Sequence, residues 1–320
     1  MKISTNYMFD RATTRMMDVQ LRLTTAQARM STGKKINSPS DAPEQASAIQ
    51  RLRDEVIRQE SHVTTLSTAA RRFATEETAL NSAGDVLARM KELALSAANA
   101  SKNNQAHDAI AAELTSLRDE LMSLANTRDD TGNYIFSGTR VTTQPYQMEN
   151  GKVAFKGDQT QTMVPAGTER DVVYTRSGSD VFVRVVRDVE DANGDPVTDP
   201  TTGEIQQTSV SFFDSIDDMI TAVKEGNVSH IQRSVGETDA LIDGVALAVA
   251  QVGADQSIID SQTNVIESEV LRLKSSLSSI EDLDYTEAIT QMTKDTMALQ
   301  AAQSSFAKIS QMSLFDYIGR

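Results

Sequence analysis

From Val228 to Ile280 the sequence holds one apolar series without a break. Ile231, Val235, Thr238, Ile242, Val245, Val249, Val252, Gln256, Ile259, Thr263, Ile266, Val270, Leu273, Leu277 and Ile280 follow one another at alternating steps of three and four. That spacing puts them all on one narrow stripe of an α-helix, the seam of a coiled coil. The pattern predicts a single very long helix, and a stripe so narrow must be covered by another helix. Gly244 and Gly253 lie inside it, each costing about 1 kcal/mol against alanine, so packing must offset them.

The other end of the chain carries matching seams. Phe9, Ala12, Met16, Val19, Leu23, Ala26 and Met30 predict a first helix that ends at Gly33. After the turn Asn37-Ser38-Pro39-Ser40, Asp41 is expected to cap a second helix, with Glu44 as capping-box partner and Pro43 in the first turn. Its seam runs Ile49, Leu52, Val56, Gln59, Val63, Leu66, Ala70, Phe73, Glu77, Leu80. Two successive steps of three, to Leu80 and to Ala83, overwind the supercoil locally before the seam resumes through Leu87, Met90, Ala94 and Ala97. A break at Ser101 to Gln105 precedes a third helix with Ile110, Leu114, Leu117, Leu121 and Leu124. Near the C-terminus, Asp284 with Glu287 reads as a cap for a last helix. Its seam is Tyr285, Met292, Leu299 and Phe306, with Ala288, Ala302 and Ile309 three residues beyond the first, third and fourth of these.

The middle differs in kind. Four of the six prolines fall between Gln144 and Thr201. Val181 to Val186 alternates like a strand, Lys152–Lys156 and Thr208–Phe212 read as further strands, and Asn193-Gly194 marks a tight turn. The expected fold is therefore mainly α with a β-rich insert: antiparallel terminal coiled-coil helices, a helical rod and a small central β domain. Its segments are expected at 1–40 and 283–320 for the terminal helices, 41–138 and 213–282 for the rod, and 139–212 for the insert. The insert reads as an excursion whose removal leaves both arms intact.

Chemistry is scarce. The chain has no cysteine, which removes disulfides and thiolate sites. A formal charge of −14 disfavours nucleic acid and anionic membranes as partners, and no apolar run reaches the ~20 residues of a membrane span. The start of the chain lacks a signal-peptide pattern, so export would need another route. His62, His107 and His230 are not spaced as metal ligands. Asp191-Ala192-Asn193-Gly194-Asp195 opens like a calcium loop, but Pro196 stands where the turn needs glycine and Thr202 where it needs glutamate. No phosphate loop, nucleophile elbow or zinc-protease signature is present. The reading is a non-enzymatic protein without cofactor or metal, whose function resides in its seams. The inner seams are expected to close within the chain. The outermost helices are marginal alone and are expected to pack on neighbouring molecules, or failing that on one another.

Three stretches resemble a known family. Arg29-Met30-Ser31-Thr32-Gly33-Lys34-Lys35-Ile36-Asn37-Ser38-Pro39-Ser40-Asp41 resembles the N-terminal signature shared by flagellins and the flagellar hook-associated protein 3 family. Gly132-Asn133-Tyr134-Ile135-Phe136-Ser137-Gly138 is similar to the point where that family's helical arm enters its β domain. The tail, Ile280 to Tyr285, Leu299-Gln300-Ala301-Ala302 and Ser313-Leu314-Phe315-Asp316-Tyr317, is similar to hook-associated protein 3 rather than to flagellin. The insert matches weakly, through Gly157-Asp158 and Ser177 to Phe182.

The resemblance implies a secreted structural component of the bacterial flagellum, exported unfolded by the flagellar type III route. It implies a ring of subunits at the hook–filament junction, between hook-associated protein 1 and flagellin, and a cytoplasmic export chaperone. The candidate assembly residues are Met16, Val19, Leu23, Ala26 and Met30 on the first helix and Tyr285, Met292, Leu299, Phe306, Ile309, Leu314 and Phe315 on the last. A minor flagellin and a cytoplasmic coiled-coil signalling adaptor are the alternatives.

Overall fold

The computed structural model describes residues 2–99, 104–165, 171–189, 197–198 and 204–318, with side chains described in the terminal helices from Tyr7 and up to Lys308. The Asn193-Gly194 turn, the Asp191–Asp195 stretch with Pro196 and Thr202, and the first residues of the break at Ser101 lie outside the described residues. Helices dominate: α1 (Lys2–Thr32), α2 (Pro43–Asn99), α3 (Asn104–Ala125), a single turn α4 (Gly178–Val181), α5 (Phe212–Glu225), α6 (Val228–Glu281) and α7 (Tyr285–Ile318). Between α3 and α5 lie six short strands: β1 (Tyr146–Glu149), β2 (Lys152–Phe155), β3 (Met163–Pro165), β4 (Asp171–Val173), β5 (Val185–Asp188) and β6 (Gln207–Val210). They pair as antiparallel couples, β1 with β2, β3 with β4 and β5 with β6.

The chain forms two compact units, Met1–Glu60 with Ser268–Arg320, and Ser61–Glu267. In the larger unit the seams read from sequence are the core. Leu66, Phe73, Leu80, Ala83, Leu87 and Met90 on α2 and Ile231, Val245, Val252, Ile259 and Ile266 on α6 are buried, as are Leu114 and Leu121 on α3. The two polar seam positions Glu77 and Gln256 meet, Gln256 Nε2 donating to Glu77 Oε2 at 2.9 Å. Gly244 is explained too: a Cβ there would come within 2.5 Å of the Val183 side chain, so the insert requires a glycine on α6.

Several local expectations are corrected. Val181 to Arg184 is no strand. The Ser177 hydroxyl accepts from the Ser179 amide and starts the turn α4, which buries Val181; Phe182, its C-cap, is buried as well. Alternation alone cannot distinguish a strand from a turn whose apolar residues face one pocket. The Asp41 carboxylate does not cap α2. It turns back to accept from the amides of Asn37 and Ser38, both at 2.9 Å, and α2 starts at Pro43 without it. The segment from 213 to Val228 belongs to the expected helical rod, although no seam is read there. Here Ser211 caps α5 by accepting from the Asp214 amide, and left-handed Gly226 closes it.

Nor is the insert a detachable excursion. Tyr146 and Phe182 pack edge to face, and both contact Phe213, which meets Phe212 edge to face. Replacing 145–205 by a linker would strip Tyr146, Arg176, Phe182 and Val185 from the core of this unit, at a cost of several kcal/mol for the large side chains alone.

Charged groups tie the same segment to the helices. Arg72 on α2 donates to the carbonyls of Ile135 and Tyr174 and pairs with Asp129 at 3.0 Å. Arg176 Nε lies 3.1 Å from Glu76 Oε1, and its other end pairs with Asp255. The contact with Glu76 is close but misaligned, so neither Glu76 oxygen accepts a hydrogen bond from the protein. Burial outweighs the attraction of Arg176 and Arg72 and pushes the Glu76 carboxyl up to about 7. A raised folded-state value means that protonated Glu76 favours the fold. That contribution is full below the usual carboxylate range and is lost as pH rises through about 7. From this group alone, stability should fall by on the order of 2–3 kcal/mol between pH 5 and pH 8. Glu76→Gln should flatten that slope and be the more stable protein at pH 8. Denaturant titrations of both proteins across the range check this, and parallel slopes would refute it.

Candidate assembly interface

The smaller unit is built on α1 and α7. They run antiparallel, as three contacts along their length establish. The Phe9 and Phe306 rings meet edge to face at 5.3 Å, Arg22 Nε reaches Asp295 Oδ1 at 3.4 Å, and the Tyr285 hydroxyl donates to the Met30 carbonyl at 3.3 Å. With both ends fixed, Met16 falls level with Leu299 and Leu23 with Met292, one heptad further along each helix. Large side chains share levels, and the small residues Ala12, Ala26, Ala288 and Ala302 share the levels between them. Met16, Val19, Leu23, Ala26, Met30, Met292, Leu299 and Phe306 are all half-buried. Full burial of the larger of these side chains contributes ~1.5–3 kcal/mol, so each of them gives about half of that here, and Ala26 less. Tyr285 remains 49% exposed and acts through its hydroxyl rather than by burial. Ile309, Leu314 and Phe315 lie on α7, but their side chains are outside those described.

The seam thus closes within the chain. What it leaves uncovered was missed by the sequence reading: Tyr7 (61% exposed), Met8 (60%), Met17 (67%) and Leu21 (68%) on α1, with Ile289 (49%) and Met297 (65%) on α7. These side chains lie off the three–four stripe, so a search for the stripe passes over them. Asp295 is likewise hidden from the stripe pattern by its charge. It stands three residues after Met292, where the small row requires an alanine, and it is buried at 5% exposure. Gln291 Nε2 donates to its second oxygen at 3.1 Å.

Where the helices end, two turns are joined. Gly33 has φ +70°, the left-handed form that ends α1, and a Cβ there would meet the Tyr285 hydroxyl at 3.1 Å. The Lys35 amide donates to the Glu281 carbonyl at 2.7 Å and the Leu283 amide to the Gly33 carbonyl at 3.0 Å. Glu281, almost fully buried, pairs with Lys34 at 2.8 Å and with Arg53. Ile36, Ala42 and Ile49 form a small core beneath, against Leu277 and Ile280. Asp284 starts α7 as read from sequence, accepting from the amides of Thr286 and Glu287 at 2.8 and 3.2 Å.

Among the described residues no group of three His, Cys, Asp or Glu is placed to hold a metal ion. None of the helices among them is long and apolar enough to cross a membrane. Among the described residues the arrangement consists of packing surfaces, the Arg22–Asp295 pair and the charged pairs at the joined turns.

Two long antiparallel terminal helices, with further long helices and a β insert between them in sequence, define a class of mainly helical subunit with paired ends. The bacterial flagellin N-terminal helical region matches residues 3–141 and the C-terminal helical region matches residues 235–318, and the chain belongs to the bacterial flagellin family. Within it, the chain is similar to flagellar hook-associated protein 3 of Salmonella typhimurium, with 24% identity over 325 residues, 98% of this chain and 99% of that protein. It is similar to flagellin B of Vibrio anguillarum at 27% identity over 340 residues, 88% of this chain and 89% of that one. The crystal structure of Xanthomonas campestris FlgL matches with a TM-score of 0.61 and 26% identity, over 72% of this chain and all of that one.

Glu281 is the charge on which the joined turns depend. Glu281→Ala should destabilise the smaller unit by about 1–3 kcal/mol, less than a fully buried pair because Lys34 and Arg53 are partly hydrated. Hydrogen exchange at the Lys35 and Leu283 amides should accelerate while the core of α3 is unchanged. Unaltered protection at both amides would remove Glu281 from this role.

Proposed function

We propose that this chain is a junction subunit of the bacterial flagellum, standing between the hook and the flagellin filament. The observation that carries the reading is similarity to hook-associated protein 3 from end to end, where the similarity to flagellin B is less complete. The tail Ser313 to Tyr317 supports the same choice by its resemblance.

The work is mechanical, with no bond made or broken. The α1–α7 pair enters a ring of like subunits, adapting the lattice of hook-associated protein 1 on one side to that of flagellin on the other. Neighbours cover Met17, Leu21, Ile289 and Met297, whose exposure on one pair of helices suits a contact surface. The seam residues from Met16 to Met30 and from Tyr285 to Phe306, continued by Ile309, Leu314 and Phe315, hold the pair in the form that neighbours accept. Charge supports this placement. Residues 1–60 and 268–320 hold 15 basic and 14 acidic side chains, so the whole net negative charge lies in 61–267. A nearly neutral end packs against copies of itself without the repulsion that the rest would generate. Segments 1–40 and 283–320 serve assembly, 41–138 and 213–282 form the rod, and 139–212 faces outward. The chain travels unfolded through the flagellar type III route, attended by a cytoplasmic chaperone, and ends outside the cell.

A minor flagellin is the second reading and is not the favoured one, since the similarity to flagellin B spans 88% of this chain against 98% for hook-associated protein 3. Electron microscopy of a deletion strain separates the two: bare hooks with secreted flagellin mark a junction protein, whereas persisting filaments mark a flagellin. For the mechanism, Leu299→Asp with Phe306→Asp places two charges in the seam, each costing several kcal/mol unless paired. The variant should be exported at the normal level, keep the circular dichroism of its larger unit and be absent from hooks by immunoblot. Hooks still joined to filaments by this variant would mean that the terminal pair is not the assembly element.

A further inference from the structure

Asp295 has no place in the packing pattern of its own helix. The row Ala288, Asp295, Ala302 fills the small levels of the seam, where a methyl group suffices and a carboxylate must be desolvated. Its partner comes from the other helix. Arg22 flanks the α1 seam and crosses the edge of the pair to reach it, while Gln291, one turn earlier on α7, takes the second oxygen. Arg15, Arg22 and Arg29 recur at seven-residue intervals in that flanking row of α1. The only cations in the described part of α7 are Lys294 and Lys308, and Lys294, the immediate neighbour of Asp295, points to a different side of the helix.

We infer that Asp295 is the residue by which α7 selects α1: a buried acid in an apolar seam that tolerates only a helix bringing an arginine to its level. Two α7 helices packed antiparallel would bury two carboxylates with no arginine. A slip of three or four residues against α1 would move Asp295 away from Arg22 and set large levels against small ones. A slip of a whole heptad, about 10 Å, would find Arg15 or Arg29 instead. That slip is stopped at the far end, where Tyr285 sits on Met30 and Gly33 and the backbone bonds of Lys35 and Leu283 join the turns. The acid therefore excludes wrong helices and fractional registers, and the joined turns choose among the whole ones. A polar residue at a seam position is known to act this way in coiled coils, giving up stability for pairing specificity.

The chain has no cysteine, so a single introduced thiol reports on pairing. Leu299→Cys faces α1 in the correct pair and is half-buried there, so it meets a second Leu299→Cys only when two α7 helices associate. In the isolated full chain under mild oxidation, Leu299→Cys should yield little disulfide dimer, and adding Asp295→Leu should raise the yield at least about fivefold. Asp295→Asn, nearly the same size and uncharged, should raise it less. Exchanging the charges, Arg22→Asp with Asp295→Arg, should return the yield to the low level. The inference also requires that Asp295→Leu leave the melting temperature equal or higher, since it replaces a desolvated charge by apolar surface. Dimer yields unmoved by either Asp295 substitution, or a melting temperature lowered by Asp295→Leu, would overturn it and make Asp295 an ordinary stabilising contact. The measurement uses the free protein, so its outcome is independent of whether the chain joins hook to filament.

Discussion

An amphipathic helix with a two-in-seven stripe offers little apolar area per turn, and in this chain the stripes of α1 and α7 have only each other to cover them. Among the described residues no strand covers either of them, and the chain has no cysteine for a disulfide. The pair holds because large levels meet large and small meet small between Phe9–Phe306 and Met30–Tyr285, the level of Asp295 being the exception. Because the seam is consumed inside the pair, whatever binds the pair from outside must use the other faces. In the ring proposed above, the exposed Met17, Leu21 and Met297 are therefore the candidates for contact with neighbours.

Polar groups in the helical seams are placed where they decide something. Glu77 and Gln256 satisfy each other across the α2 and α6 seams. Arg72 joins α2 to the Ile135 carbonyl just ahead of the insert and to the Tyr174 carbonyl within it, and Arg176 joins the insert to both α2 and α6. These bonds, with the aromatic cluster around Phe182, make the β-rich segment part of the larger unit's core. Glu76 is the least well served of these groups, being buried beside an arginine with which it makes no aligned bond.

Much of this was legible in advance because it is local. The span of α6, the stop at Gly33, the Asp284 cap and the buried faces of α2 all follow from spacing and turn chemistry. The turn at Val181 was not, because its cap at Ser177 outranks an alternation that six residues can produce by chance. The capping role of Asp41 was misplaced for a similar reason: a carboxylate can serve amides on either side, and Asn37 and Ser38 were nearer. The hidden helix α5 had a legible cap in Ser211, obscured by reading the adjoining apolar residues as a strand.

By itself the sequence determined the helices, their seams and, through three signature stretches, the family, since each depends on residues close together in the chain. Tertiary structure alone decided which seam meets which. The seven-residue repeat carries a periodicity but no address, so any two such helices can pair in several registers. The choice falls to contacts between residues hundreds of positions apart: Arg22 with Asp295, Glu281 with Lys34 and Arg53, and Tyr285 against Gly33. No local pattern could have shown those.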